Sequence, residues 1–368
     1  MHFELTAEQE MLRDTTRDIL TRSDDIERLN TIGETELGWN REVWSQLAAT
    51  GLLGLGLDSE DAGQMEIMVL MTELGRSLAP EPVAFGALLP GLLLRDVSPT
   101  EHGDLLDEIA SGSCLLALAL DDADGEPTRA EAKGKQWSLT GRKRNVAAGD
   151  CADRLVVSAV ADGQSALFVV DAATVTRRGY RTFDGRRGAE IELDGAAGQK
   201  IADGAEAFRA LQRSAVRTSS MLCAEAVGAM EVALQLTTEY LRTRKQFGVT
   251  LSKFQTLTQR AADMYVSLEL ARSMNLYAAG CIADGSYDDL TAAQAALRIN
   301  RSAKHIGQEA IQLHGGIGVT AEYPVAHYTA RLTAIEQTLG PPRQQLRTLA
   351  AAVTTSASGP SSASGPSR

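Results

Sequence analysis

The sequence predicts an α+β chain with its helices and strands kept in separate blocks, and three observations predict it. Residues 1–112 show apolar positions at helical spacing. Residues 113–203 hold short apolar or alternating runs separated by Gly and Asp turns, the pattern of a small β-domain. From residue 204 the period returns to helical, in long segments with short connections that suggest an antiparallel bundle ending near 353. No Gly-x-Gly-x-x-Gly follows a strand, which argues against a doubly wound nucleotide fold.

In order along the chain, Thr6 and Gln9 form a capping box ahead of Met11, Leu12, Ile19 and Leu20. Asn40 is placed to cap REVWSQLAAT, which Gly51 ends. GLLGLGLDSEDAGQ reads as a loop, and MEIMVLMTELGRSL as a helix buried on several sides, stopped by Pro80 and Pro82. Thr100 is a possible start for a further helix closing at Ser111-Gly112. Strands are expected in LLALAL (115–120), QWSLTG (136–141), RLVVSAV (154–160), ALFVV (166–170) and AEIELDG (189–195).

The segment from Ala205 to Thr243 contains only Gly228 as a weak point, and as one helix it would be on the order of 55 Å long. Further helices are expected from Phe254 to Asp284, from Asp289 to His314 and from near Pro324. The tail 354–368 repeats SASGPS, has nothing to bury and reads as disordered.

The charge is −12, which argues against nucleic acid as a main partner. An anionic ligand would need a local basic cluster, and RRGYRTFDGRR (177–187) and RTRKQF (242–247) are the densest. Cys114, Cys151, Cys223 and Cys281 are far apart, so they read as small buried hydrophobes and not as a zinc site or disulfide framework. No apolar run reaches the roughly 20 residues of a membrane helix, and the acidic start does not resemble a signal peptide, so a cytoplasmic location is expected.

The stretches RTRKQFGVTLSKFQTLTQRAADM (242–264) and QLHGGIGVTAEYPV (312–325) resemble the acyl-CoA dehydrogenase family. LCAEAVGAMEVALQLTTEYLRTRKQFG is similar to its small-subunit branch, such as the small subunits of pimeloyl-CoA dehydrogenases, and to partner chains of heteromeric steroid side-chain dehydrogenases. The resemblance implies an N-terminal helical domain, a middle small β-barrel-like domain and a C-terminal four-helix bundle. It also implies FAD as cofactor, an acyl-CoA substrate, α,β-dehydrogenation of the thioester and an electron-transfer flavoprotein as acceptor. Steroid side chains, dicarboxylates and fatty acyl chains all remain open as the acyl group.

In that family a neighbouring subunit holds part of the FAD diphosphate and adenine. The matching residues here are Arg244, Gln246 and Phe247, then Phe254 and Gln255, then Gln312 with Gly315 and Gly316. Arg244 can pair with a phosphate, paired glycines admit close backbone approach, and Phe247 offers an apolar surface. Gly315-Gly316 is equally a helix stop, and Arg244 equally a charge near a helix C-terminus.

The flavin-ring half departs from the family pattern. ALDDADGEPTRAE (119–131) is acidic where a Ser/Thr- and Gly-rich loop is implied, and Asn145-Val146-Ala147 lacks the aromatic residue and hydroxyl of a Trp-x-Thr match. The implied catalytic Glu falls at Leu339, before Gly340, Pro341, Pro342 and Arg343, and its alternative position is Thr218. Glu225, among Cys223, Ala224, Ala226 and Val227, is a substitute base if burial raises its pKa, and Glu336 is another. Their plain alternatives are a hydrogen-bonded bundle residue and a solvated charge. His305 and His314 read as packing or capping residues.

Three functions are therefore open: a partner subunit lacking the usual Glu, in an α2β2 assembly with a fuller dehydrogenase chain; a self-sufficient homo-oligomeric enzyme with a displaced base; and a non-enzymatic acyl- or protein-binding scaffold.

Overall fold

A computed structural model describes residues 5–21, 26–57, 63–97, 101–134 and 136–357. The first block contains α1 (Ala7–Thr21), α2 (Ile26–Gly33), α3 (Arg41–Ala49), α4 (Gln64–Arg76), α5 (Leu89–Val97) and α6 (Gly103–Ala110). The capping box opens α1: Gln9 N donates to Thr6 Oγ1 at 3.2 Å and Thr6 N to Gln9 Oε1 at 3.1 Å. Asn40 caps α3 through Glu42 N at 2.8 Å. Ile19 and Leu20 are buried, whereas Met11 is exposed. Thr100 lies outside the described residues, and α6 starts after His102.

The end of α4 corrects the sequence reading. The helix stops at Arg76, before the prolines, because Leu78 turns left-handed (φ 49°) and Ala79 N donates back to Leu74 O at 3.0 Å. Pro82 does not end a helix; it precedes a single π-type turn at Ala84–Leu88 that runs into α5. The sequence reading leaves residues 83–97 unassigned, because Gly86, Pro90 and Gly91 interrupt the pattern.

The middle block contains β1 (Leu116–Ala119), β2 (Arg129–Lys133), β3 (Gln136–Ala147), β4 (Arg154–Ala161), β5 (Gln164–Asp171), β6 (Thr176–Arg181) and β7 (Arg187–Asp203). Strands β4, β2, β3, β7 and β5 follow one another, and β5 pairs back to β4, so the sheet closes into a small barrel. Leu139, Val146, Leu155, Val157, Phe168 and Ile191 fill it. Neither β2 nor β6 was expected. Strand β6 is exposed throughout and β2 nearly so, leaving no apolar alternation to read.

The last block contains α7 (Gly204–Thr243), the two-residue strands β8 (Lys245–Gln246) and β9 (Val249–Thr250), then α8 (Gln255–Ala283), α9 (Asp289–His314), α10 (Pro324–Leu339) and α11 (Pro342–Ala357). Helices α7–α10 share one core, including Met230, Leu268, Ile299, Ile306 and Leu332. The fifth helix, α11, packs on α9 and was not expected; Gly340 (φ 84°) ends α10 and Pro342 starts α11, where a missing N–H costs nothing. Because α11 reaches Ala357, the disordered tail expected from residue 354 starts too early, and residues 358–368 lie outside the description.

The spine of the molecule is α7, which also packs against α4 and α5. A Cβ on Gly228 would lie 1.9 Å from Thr72 O, and one on Gly75 would lie 1.9 Å from Glu225 O. These two glycines let α4 and α7 touch backbone to backbone. Among the described residues, no helix is long and apolar enough to cross a membrane.

Candidate functional site

Two places bring together residues singled out in the sequence. The first is the end of the bundle where α7 stops, α8 starts, α9 stops and α10 starts. Arg244 caps α7, and its carbonyl accepts from Leu251 N at 2.9 Å, closing the base of a short hairpin. In that hairpin Lys245 pairs with Thr250 and Gln246 with Val249. Phe247 (φ 53°) and Gly248 (φ 84°) form its two-residue turn, both left-handed as a tight hairpin requires. A bulky residue is disfavoured there, yet Phe247 is held in that conformation and is 91% exposed. Phe254 faces it edge to face at 6.1 Å between ring centroids.

Gln255, Gln312, Gly315 and Gly316 are exposed at the same end. Gly315 (φ 66°) ends α9, so its glycine is demanded by the chain itself. Gly316 has no left-handed φ, and a Cβ there would meet nothing within 4 Å. Among the described residues nothing crowds position 316, so the backbone there is open to close approach from outside. Among the described residues, Arg242, Arg244 and Lys245 have no ion pair, so their charge is available to an anion.

The other basic cluster behaves differently. Arg177 donates to Ala152 O at 2.9 Å, Arg181 pairs with Glu34, Arg187 Nε donates to Asp150 at 2.6 Å, and Arg186 donates to Ala79 O and Glu225. Arg181 and Arg186 tie the barrel to the helical blocks, whereas Arg177 and Arg187 are spent within the barrel block. They do not form the open anion site that their density suggests.

The second place is a cavity of about 620 Å³ where helices, barrel and bundle meet. Trp39, Asn145, Asp150, Asp184, Glu225 and Arg331 are among the residues lining it. Glu225 comes from α7 and Arg331 from α10. Arg331 Nε and Nη2 donate to the two oxygens of Glu225, both at 2.7 Å, while its Nη1 donates to Asp184 at 2.8 Å. Arg186 Nη2 adds a third bond to Glu225 at 3.2 Å. Thr182 Oγ1 donates to Asp184.

The pKa expectation for Glu225 is overturned. Burial alone pushes its carboxyl up, but the charge and hydrogen bonds of Arg331, with Arg186 behind, outweigh burial and hold it below the usual carboxylate range. Asp184 is held low by the same contest, with Arg331 and Thr182 against burial. Arg331 is held above its usual range, since Glu225 and Asp184 outweigh its burial. Sequence reasoning missed Arg331 and Asp184, which are distant from Glu225 in the chain. A buried Glu on an otherwise apolar helix face was the one signal that a cation had to be found for it.

The remaining positions fall as follows. Glu336 is half-buried on α10 and does not line the cavity. Leu339 packs against the bundle core, and Thr218 spends its hydroxyl on Ser214 O at 2.8 Å. Asn145 and Ala147 do line the cavity. In the acidic loop, Asp122 is the internal counter-ion of the fully buried Lys143, at 2.6 Å. His314 is buried and packed, as expected; His305 is half-buried. Cys114 and Cys223 are buried, while Cys151 and Cys281 are only partly so.

The donor set at the bundle end fits a dinucleotide: free cations for a diphosphate, an aromatic surface and an unobstructed glycine. The cavity fits a flavin ring less well. Asn145 and Ala147 supply neither aromatic face nor hydroxyl, and its deepest carboxylates are already paired.

Residues 6–113 match the acyl-CoA dehydrogenase N-terminal domain, and residues 208–354 match the acyl-CoA dehydrogenase C-terminal domain. The chain is 29% identical over 354 residues to the acyl-CoA dehydrogenase IpdE2 of Mycolicibacterium smegmatis, covering 95% of this chain and 100% of that one. Its structure is similar to a chain of the ChsE4-ChsE5 complex from Mycobacterium tuberculosis, with a TM-score of 0.89, 28% identity and coverage of 98% and 100%. A glutaryl-CoA dehydrogenase from Mycobacterium smegmatis in complex with FADH2 shares the fold at a TM-score of 0.87 and 22% identity, covering 97% of each chain. With its helical, barrel and bundle layers in the family's order, the chain belongs to the acyl-CoA dehydrogenase family, whose oxidoreductases use FAD.

Proposed function

We propose that this chain is the partner subunit of a heteromeric acyl-CoA dehydrogenase, lacking a catalytic Glu of its own. Its bundle end completes the nucleotide part of a flavin site whose ring lies mainly in the other chain, in an α2β2 assembly. Arg244 would hold the diphosphate, with Gln246, Gln255 and Gln312 as amide contacts. Phe247 and Phe254 would give the apolar surface, and Gly315 and Gly316 the close backbone approach. FAD, when bound, supplies the hydride acceptor for α,β-dehydrogenation of an acyl-CoA thioester. An electron-transfer flavoprotein is the acceptor this reading implies.

The observation that carries the proposal is the commitment of Glu225. A general base must be free to take a proton at the substrate carbon. Glu225 is bonded at both oxygens to Arg331 and again to Arg186, and its affinity for a proton is lowered. Glu336 is not among the residues lining the cavity, and Leu339 cannot accept a proton. Similarity to a chain of the two-component ChsE4-ChsE5 complex supports the same reading.

The test is Glu225→Gln in the complex with the fuller dehydrogenase chain. The amide keeps the shape and part of the hydrogen bonding. Turnover per bound flavin within about twofold of wild type, roughly 0.4 kcal/mol of barrier, is expected. A loss of turnover with flavin retained would make Glu225 the base and restore the self-sufficient reading.

A further inference from the structure

The arm that carries Arg244 and Phe247 belongs to α7, whereas Gly315 and Gly316 belong to the turn after α9. Something must hold the two at a fixed separation if they grip one ligand. Between them lies His314, 3% exposed. Its ring packs, tilted, 4.6 Å from the centroid of Tyr240 and 4.9 Å from that of Tyr323, and the two tyrosines meet edge to face at 6.2 Å. Tyr240 is also the residue whose carbonyl accepts from Arg244 N, at 2.9 Å, so one face of the stack is attached directly to the start of the arm. Tyr323 is the N-cap of α10.

The other side of His314 is the glycine turn itself. Gly315 follows it in the chain, and the turn Gly315–Val319 folds back so closely that a Cβ on Gly318 would lie 3.0 Å from the Cβ of His314. The ring orientation is fixed by Nδ1, 2.7 Å from Ala310 O, in the last turn of α9. The ring also engages the backbone of Leu236 on α7, so it is held from both helices. The ring packs tilted against both tyrosines, with 33° and 52° between planes, and so fills the space between the α7 end and the turn.

We propose that His314 is a positioning residue for the cofactor: its ring sets the distance between the Gly315–Gly316 turn and the arm bearing Arg244 and Phe247. The proposal rests on the assignment of the bundle end to FAD. His314 reaches no ligand itself, because its ring is enclosed by Tyr240, Tyr323 and the turn.

The experiment measures FAD dissociation from the purified complex of this chain with its dehydrogenase partner, in four variants. His314→Ala removes the spacer and is expected to weaken FAD at least tenfold, with turnover restored at saturating FAD. His314→Phe keeps a ring and is expected to stay within threefold of wild type. Tyr240→Leu, which opens the stack from the other helix, is expected to behave like His314→Ala and decides the matter if His314→Ala does not assemble. Arg244→Ala reports on the underlying assignment. If Arg244→Ala weakens FAD while neither stack variant does, the spacer role is wrong and the FAD assignment stands. If His314→Phe loses as much as His314→Ala, the ring is not the spacer. If Arg244→Ala leaves FAD affinity unchanged, the bundle end does not hold the cofactor and the proposal falls with it.

Discussion

Glu225 is 4% exposed in a run of Cys223, Ala224, Ala226 and Val227, surroundings that favour a neutral carboxyl. The sequence displays that apolar run but not the guanidiniums that reach it from α10 and from the strand β7 end, so burial was legible and charge state was not. Arg331 is held by Glu225 on one side and Asp184 on the other. Arg331→Ala would leave both acids buried without their main cation, and a loss of about 3–5 kcal/mol in a urea titration is expected. Joint replacement by Glu225→Leu and Arg331→Met should recover only the part of that loss due to Glu225, because Asp184 stays buried without Arg331. The network also sets a pH dependence. Both acids have folded-state values below their usual ones, so their stabilisation is complete above the ordinary carboxylate range and is lost as pH falls through the depressed folded values. Glu225→Gln should flatten the fall of melting temperature on acidification; an unchanged slope would show that Glu225 does not drive it.

Helix α7 was legible from Ala205 to Thr243 because it lacks proline, yet the purpose of Gly228 was not, since the reason lies on α4. Gly228→Ala would set a methyl carbon 1.9 Å from a backbone oxygen that cannot rotate away. The expected loss is at the upper end of, or beyond, the usual 1–3 kcal/mol of overpacking, read from the denaturation midpoint. Gly316→Ala gives the opposite case. With open space around it, stability should stay within about 0.5 kcal/mol, while FAD binding by the complex weakens. A Gly316→Ala protein that binds FAD normally would remove the argument for close approach there. Elements with a buried face, such as β4, β5 and α9, could be read from their pattern. Strand β6, exposed along its whole length, and α5, interrupted by Pro90, could not.

Across the whole molecule, the family's order of helices, barrel and bundle was readable because each block changes its apolar period. A small barrel was implied by the family resemblance, but the strand order that closes it and the shared role of α7 were not readable, since both depend on pairings between distant segments. The same holds for function. The bundle-end residues lie in short contiguous motifs that the sequence singles out; the cavity is assembled from all three blocks, and its pair Glu225 and Arg331 joins distant segments. The account turns on where the flavin ring sits. The direct measurement is flavin per polypeptide, from visible absorbance and total protein, for this chain alone and for its complex with a fuller dehydrogenase chain. Little flavin in the isolated chain and one FAD for every two polypeptides in the complex is the predicted result. One FAD per polypeptide in an active, isolated homo-oligomer would contradict it.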